Sequence, residues 1–91
     1  PAIGYPSLPD HQMKKQVFEI LQVSEKADIT LTENYMMQPQ ASVCGFYLAH
    51  PESKYFTIQK IGKDQVADYA VRWETAVEEI EKRLAQNLNY K

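Results

Sequence analysis

The sequence predicts an α+β fold: an N-terminal helix, a small antiparallel β-sheet with a central hairpin, and two C-terminal helices, as a fragment of a larger domain. Three observations predict it. Residues 41–69, ASVCGFYLAHPESKYFTIQKIGKDQVADY, hold the densest aromatic and β-branched run and read as strand, tight turn, strand and helix. Apolar residues recur at helical spacing towards both ends of the chain. The chain has 91 residues and opens without an initiator Met, so a single domain or a cut piece of one is expected.

Composition narrows the classes. The chain is 44% hydrophobic and 24% charged, with 10 Lys and Arg against 12 Asp and Glu. A net charge of −2 argues against a nucleic-acid or anionic-membrane surface built on bulk charge. No apolar run approaches the ~20 residues of a membrane helix. The opening PAIGYPSLPD has neither the basic nor the apolar region of a signal peptide. One cysteine, Cys44, allows no intrachain disulfide; it sits in an apolar pattern, where a buried inert thiol is the simpler reading. A cytoplasmic location fits a chain with so little cysteine.

Each element has its own signal. Pro1, Pro6 and Pro9 with Gly4 make residues 1–9 extended and irregular, a segment that must lie along something else. Asp10 is a good N-cap, and Met13, Val17, Ile20, Leu21 and Ser24 form one stripe, with Lys14 and Lys15 among the polar positions; a helix is expected over residues 10–26. Asp28, tolerant of the left-handed region, ends it. Residues 29–32 alternate and residues 34–37 are strand-like, giving two short strands or one bent strand, until Pro39 stops the run. Residues 43–49 carry apolar groups on both faces, as a central strand does. The turn at His50-Pro51-Glu52-Ser53 leads to a return strand over residues 54–60, with Phe56 and Ile58 facing inward. Gly45 leaves a gap where another backbone or a ligand approaches closely. Gly62 opens a helix through Trp73, striped by Val66, Tyr69, Ala70 and Trp73. Thr75 and Glu78 match a capping box for a last helix with Val77, Ile80 and Leu84 inward; Asn87 and Asn89 suit its end.

The chemistry of the residues is sparse. His11 and His50 are far apart and match no metal-ligand spacing, so a solvated or structural role is the simpler one. No nucleophile elbow and no glycine-rich phosphate loop is present. The acidic run at Glu78, Glu79 and Glu81 reads as a solvated helix face. Six tyrosines stand out. On one reading Tyr35, Tyr47 and Tyr69 are core and Tyr55 fills a sheet face; on the other, Tyr5 and Tyr55 flank a planar or cationic ligand.

Several segments resemble one family. Gly4-Tyr5-Pro6, Pro9-Asp10-His11, Leu31-Thr32-Glu33, and Ala41-Ser42-Val43 with Gly45 resemble the C-terminal part of cobalamin-dependent methionine synthase. So do His50-Pro51, Ser53-Lys54-Tyr55-Phe56, Asp64-Gln65-Val66, Asp68-Tyr69-Ala70, and Asn87-Leu88 with Tyr90. The order and spacing hold from end to end. The resemblance implies that residues 1–91 are the C-terminal portion of the S-adenosylmethionine-binding activation domain of that enzyme, a methyltransferase acting between methyltetrahydrofolate and homocysteine.

The implied role is repair: S-adenosyl-L-methionine and an electron from a flavodoxin-type protein return oxidised cob(II)alamin to its methylated form. The implied partners are the electron donor and the remainder of methionine synthase, including the domain that mainly holds the cobalamin. The resemblance carries Ala2, Gly4 and Tyr5 onto one ligand-binding segment and Tyr55 onto another. Gly4 would admit a close backbone approach, open backbone groups near Ala2 and Tyr5 would bond adenine, and a tyrosine face would accept the sulfonium. No catalytic residue and no metal ligand is implied, and the chain alone is expected to be inactive. The family arginine would stand just before Pro1. Asp28 and Asn89 replace glycines, Arg83 replaces a tryptophan, and Trp73 replaces a lysine. The alternative is a non-catalytic docking module or an inactive fragment derived from that domain.

Overall fold

The computed structural model describes residues 1–90 and divides into two units, Pro1–Thr57 and Ile58–Lys91. Its class is α+β, with four α-helices and one two-stranded antiparallel sheet among the described residues.

In the first unit, the single helix expected over residues 10–26 is two: α1 (Met13–Leu21) and α2 (Val23–Lys26). The break is Gln22, whose φ of 52° is left-handed and cannot continue a right-handed helix. Asp10 acts one turn earlier than expected. Its carboxylate accepts the Gln12 N–H at 3.0 Å and so caps the turn that leads into α1 rather than α1 itself. After α2 the chain leaves through Asp28 at φ 52°, the left-handed residue that the sequence suggested.

The expected apolar stripe of α1 faces inward only at its start, where Met13 and Val17 are half-buried. Lys14 is the buried residue of α1, whereas Ile20 and Leu21 are 78% and 58% exposed. Hydrogen bonds that hold the Lys14 amine override the hydropathy pattern, because a buried amine is stable only when its donors are used.

Strand β1 (Thr30–Leu31) pairs antiparallel with β2 (Met37–Gln38), matching Thr30 to Gln38 and Leu31 to Met37. The two-strand reading of this region is therefore the right one. Its loop closes through the Thr32 hydroxyl, which accepts the Met36 N–H at 3.1 Å, and through Tyr35 at φ 62°. The Gln38–Pro39 peptide, at the end of β2, is cis.

The hairpin expected over residues 43–60 does not form. Residues 43–49 and 54–60 have no regular strand pairing; Gly45 alone makes an isolated antiparallel bridge, to Ala2. Val43 and Tyr47 are 83% and 99% exposed and Cys44 is half-buried, but Phe46 and Leu48, expected on the Cys44 face, are exposed too. A strand with two apolar faces needs covering on both, and the described residues leave most of this stretch uncovered. Phe56, expected inward, is exposed for the same reason.

The second unit is closer to expectation. Helix α3 (Lys63–Arg72) opens at Gly62, whose N–H is accepted by the Gln65 side chain at 2.9 Å. The helix ends in a Schellman turn: Thr75 N–H bonds Ala70 O at 3.0 Å and Glu74 N–H bonds Val71 O at 3.1 Å. Glu74 takes the left-handed position at φ 53°. Thr75 is thereby spent on the end of α3 and does not cap α4 (Val77–Arg83), whose N-cap is Ala76 with no side-chain bond. A 3-10 turn, Ala85–Asn87, follows.

Val66, Ala70, Ile80 and Leu84 make the core between α3 and α4, with Ile61, Tyr69, Trp73, Leu88 and Tyr90 packed around it. Val66 and Ile80 are fully buried, and each side chain contributes about 1.5–3 kcal/mol. Arg83 lies 4.6 Å from the Trp73 ring centroid in a cation–π contact. Asn87 latches the tail by donating from its amide to the Ile58 and Gln59 carbonyls, both at 3.1 Å.

Candidate functional site

Ala2, Gly4, Tyr5 and Tyr55, the four residues implied by the sequence, all lie in the unit Pro1–Thr57. The N-terminal segment is seated against residues 44–46. Ile3 N–H bonds Cys44 O at 2.8 Å and Phe46 N–H bonds Pro1 O at 3.0 Å, on either side of the Ala2–Gly45 bridge. In a pair of this kind the flanking residues make the bonds, so Ala2 turns its own N–H away from Gly45. A Cβ at Gly45 would stand 2.5 Å from Pro1 O and 2.9 Å from Ala2 Cα. The close approach read from Gly45 in the sequence is thus made by backbone from this same chain.

Beyond Ala2 the chain folds into a tight loop. Gly4 has φ +94°, a conformation for which glycine is suited, and a Cβ there would run into the His11 imidazole. Gly4 N–H bonds Leu8 O at 2.7 Å, Tyr5 N–H bonds Ala2 O at 3.3 Å, and Leu8 N–H bonds Tyr5 O at 2.8 Å. The backbone of Tyr5 is therefore committed within the loop, against the expectation that it stays open. What Tyr5 presents outward is its ring, 67% exposed.

Tyr55 is reached from the other side. Ser7, in the same loop, donates its hydroxyl to the carbonyl of Phe56 and so ties the loop to the stretch that carries Tyr55. Tyr55 is 60% exposed, and its ring face is not consumed by core packing. Nothing in the sequence flagged Ser7, a small polar residue between two prolines.

Behind the loop lies a polar cluster. Lys14 is 3% exposed; its Nζ donates to Tyr35 O at 3.0 Å and meets His11 Nδ1 at 3.0 Å. Burial, then the Lys14 charge, push His11 below its ordinary value, with Asp10 opposing. Burial also lowers Lys14, with Cys44 opposing, and raises the Cys44 thiol, with Lys14 opposing. His11 is thus tied into this unit by its contact with Lys14 and by its ring packed against Gly4. His50 sits in an exposed turn, where its Nδ1 accepts the Glu52 N–H at 3.1 Å.

Two surface concavities occur elsewhere. One, of about 480 Å³, lies between α1 and β1 beside Phe18, Glu19 and Leu31; the other, of about 490 Å³, runs along α3 beside Asp64, Asp68 and Tyr69. Neither is lined by Ala2, Gly4, Tyr5 or Tyr55. The Tyr5 and Tyr55 rings are both exposed on the surface of the first unit.

Fold and site together define a class: an α+β chain that presents aromatic faces and shaped backbone on an open surface. The chain belongs to the vitamin B12-dependent methionine synthase family, as activation domain, since the family model of that description matches residues 1–74. Among solved structures it is similar to the crystal structure of the MetH reactivation domain bound to AdoHcy, at 46% identity and a TM-score of 0.97. That match covers 100% of this chain and 28% of the solved one, so the chain spans less than a third of that relative's length.

Proposed function

We propose that residues 1–91 are the C-terminal portion of the activation domain and supply one wall of an S-adenosyl-L-methionine site. The observation that carries this is the seating of the N-terminal segment on Gly45, which places a shaped Gly4–Tyr5 loop on a stretch tied through Ser7 to the neighbourhood of Tyr55. AdoHcy, the ligand of the solved relative, shares the adenosyl and homocysteine parts of that molecule.

The residues fit such a group. Gly4, lacking a side chain, keeps the loop backbone approachable. Ala2 directs an N–H away from its partner strand, suited to an adenine nitrogen. The exposed rings of Tyr5 and Tyr55 offer an edge for stacking and a face of negative quadrupole for a sulfonium cation. S-adenosylmethionine, when bound, supplies the methyl group for reductive remethylation of cob(II)alamin. The chain's own part is to bind and orient; it contributes no acid, base or nucleophile to that step.

The proposal needs partners. The exposed faces of Val43, Tyr47 and Phe56 suit docking against the remainder of methionine synthase, including the domain that mainly holds the cobalamin. A flavodoxin-type protein is the proposed electron donor, and a cytoplasmic location goes with the same reading. No helix among the described residues is long and apolar enough to cross a membrane.

The test is Tyr55→Ala in the intact enzyme. Reactivation in the presence of S-adenosylmethionine is expected to fall by about tenfold, the scale of losing one aromatic contact of 1–2 kcal/mol, with primary methyl transfer unchanged. Equal loss of both activities would make Tyr55 a packing residue and remove it from the site.

A further inference from the structure

We infer that Lys14 and His11 form a strut that sets the shape of the Gly4–Tyr5 loop, which makes both of them positioning residues for the adenosyl ligand. The inference rests on the proposed function and adds two residues to it.

The strut has four links within one unit. The Tyr35 carbonyl accepts from Lys14 Nζ at 3.0 Å, and the same amine meets His11 Nδ1 at 3.0 Å. The His11 ring then occupies the space a side chain at Gly4 would fill, and Gly4 closes the loop by donating to Leu8 O at 2.7 Å. Chemistry fixes the direction of each bond. A lysine ammonium has donors only, and a carbonyl has none, so Lys14 donates at both ends. His11 Nδ1 is therefore an acceptor, and the ring proton sits on Nε2. Burial of His11, then the Lys14 charge beside it, disfavour a second proton on the imidazole, with Asp10 opposing.

An apolar side chain of the same length would fill the space of Lys14 without needing two acceptors. What the amine adds is direction. It holds one nitrogen of the His11 ring towards α1, and the ring plane then limits how far the loop carrying Gly4 and Tyr5 can move. Tyr5, exposed and held only through its backbone, has no packing of its own to fix its position.

The experiment uses the intact protein carrying this chain, with S-adenosylhomocysteine as the probe. Calorimetry gives the affinity of the wild type, Lys14→Met and His11→Asn, and ¹⁵N-histidine spectra give the His11 tautomer. The wild type is expected to show the Nε2–H form at neutral pH. Lys14→Met is expected to lose that preference and bind about tenfold more weakly, within the range that small misplacements cause, while its folded fraction melts near the wild-type temperature. His11→Asn is expected to show the same loss of affinity and decides the matter where Lys14→Met does not fold. Wild-type affinity in both variants, or an Nδ1–H imidazole in the wild type, overturns the strut alone. Absence of binding by the wild type overturns the proposed ligand site, and the strut's role with it.

Discussion

The units Pro1–Thr57 and Ile58–Lys91 are stabilised by different means. The second has the contiguous apolar cluster: Val66 and Ala70 from α3, Ile80 and Leu84 from α4. The first buries Asp10 and Lys14 as well as Ile3, and leaves Ile20, Leu21, Val43 and Tyr47 in the open. Helix packing holds the one, while long-range backbone bonds such as Ile3 N–H to Cys44 O shape the other. The contrast separates stability from recognition. A packed helix pair turns its apolar side chains inward, whereas the hydrogen-bonded loop spends its backbone within itself and turns the Tyr5 ring outward.

The largest effect that would sharpen this contrast lies in the second unit. Ile80→Ala removes a fully buried side chain and is expected to cost about 2–5 kcal/mol, read as a lower urea midpoint. A loss under about 1 kcal/mol would mean that the helix pair is not the stabilising centre. Gly4→Ala comes next. The left-handed φ and the His11 ring both oppose a side chain there, and about 1–3 kcal/mol of local strain is expected. Its signature is weakened S-adenosylhomocysteine binding with a urea-midpoint shift smaller than that of Ile80→Ala. A midpoint shift as large as that of Ile80→Ala would break the distinction between the units. The smallest change is a gain: Glu74→Gly relieves the left-handed position at the end of α3 and is expected to stabilise by about 1 kcal/mol, seen as a higher melting temperature.

How much of this was legible in the sequence also differs by unit. Periodicity found α3 and α4 and the inward positions of Val66, Ala70, Ile80 and Leu84, but Val77, also expected inward, is exposed because it lies in the first turn of α4, outside the α3–α4 cluster. It failed on α1, where Lys14 reads as a solvent-facing lysine and is buried by bonds to Tyr35 and His11 that lie outside any local pattern. It failed again on residues 43–60, whose apolar content reports a need for covering that the described residues do not meet. Glycine was the better guide in this unit: Gly45 marked a close approach, and the chain makes it at Ala2. The resemblance treated Trp73 and Arg83 as separate departures from the family pattern. They are in contact at 4.6 Å, a cation–π pair that neither position signals by itself.

The Ala2–Gly45 bridge has a consequence in time. It joins positions about forty residues apart, and closing so long a segment costs conformational entropy that the neighbouring α3–α4 contact does not incur. Regions with few buried apolar contacts open locally at low cost, and the residues beside this bridge, Val43 and Tyr47, are exposed. The ligand wall is therefore expected to breathe while the helix pair stays shut. Native-state hydrogen exchange checks this: the Ile3 and Phe46 amides, which flank the bridge, should exchange faster than those of Val66 and Leu84. A ligand that binds the closed wall would slow the first pair and leave the second untouched, so the chain's first few residues act as a latch that its ligand completes.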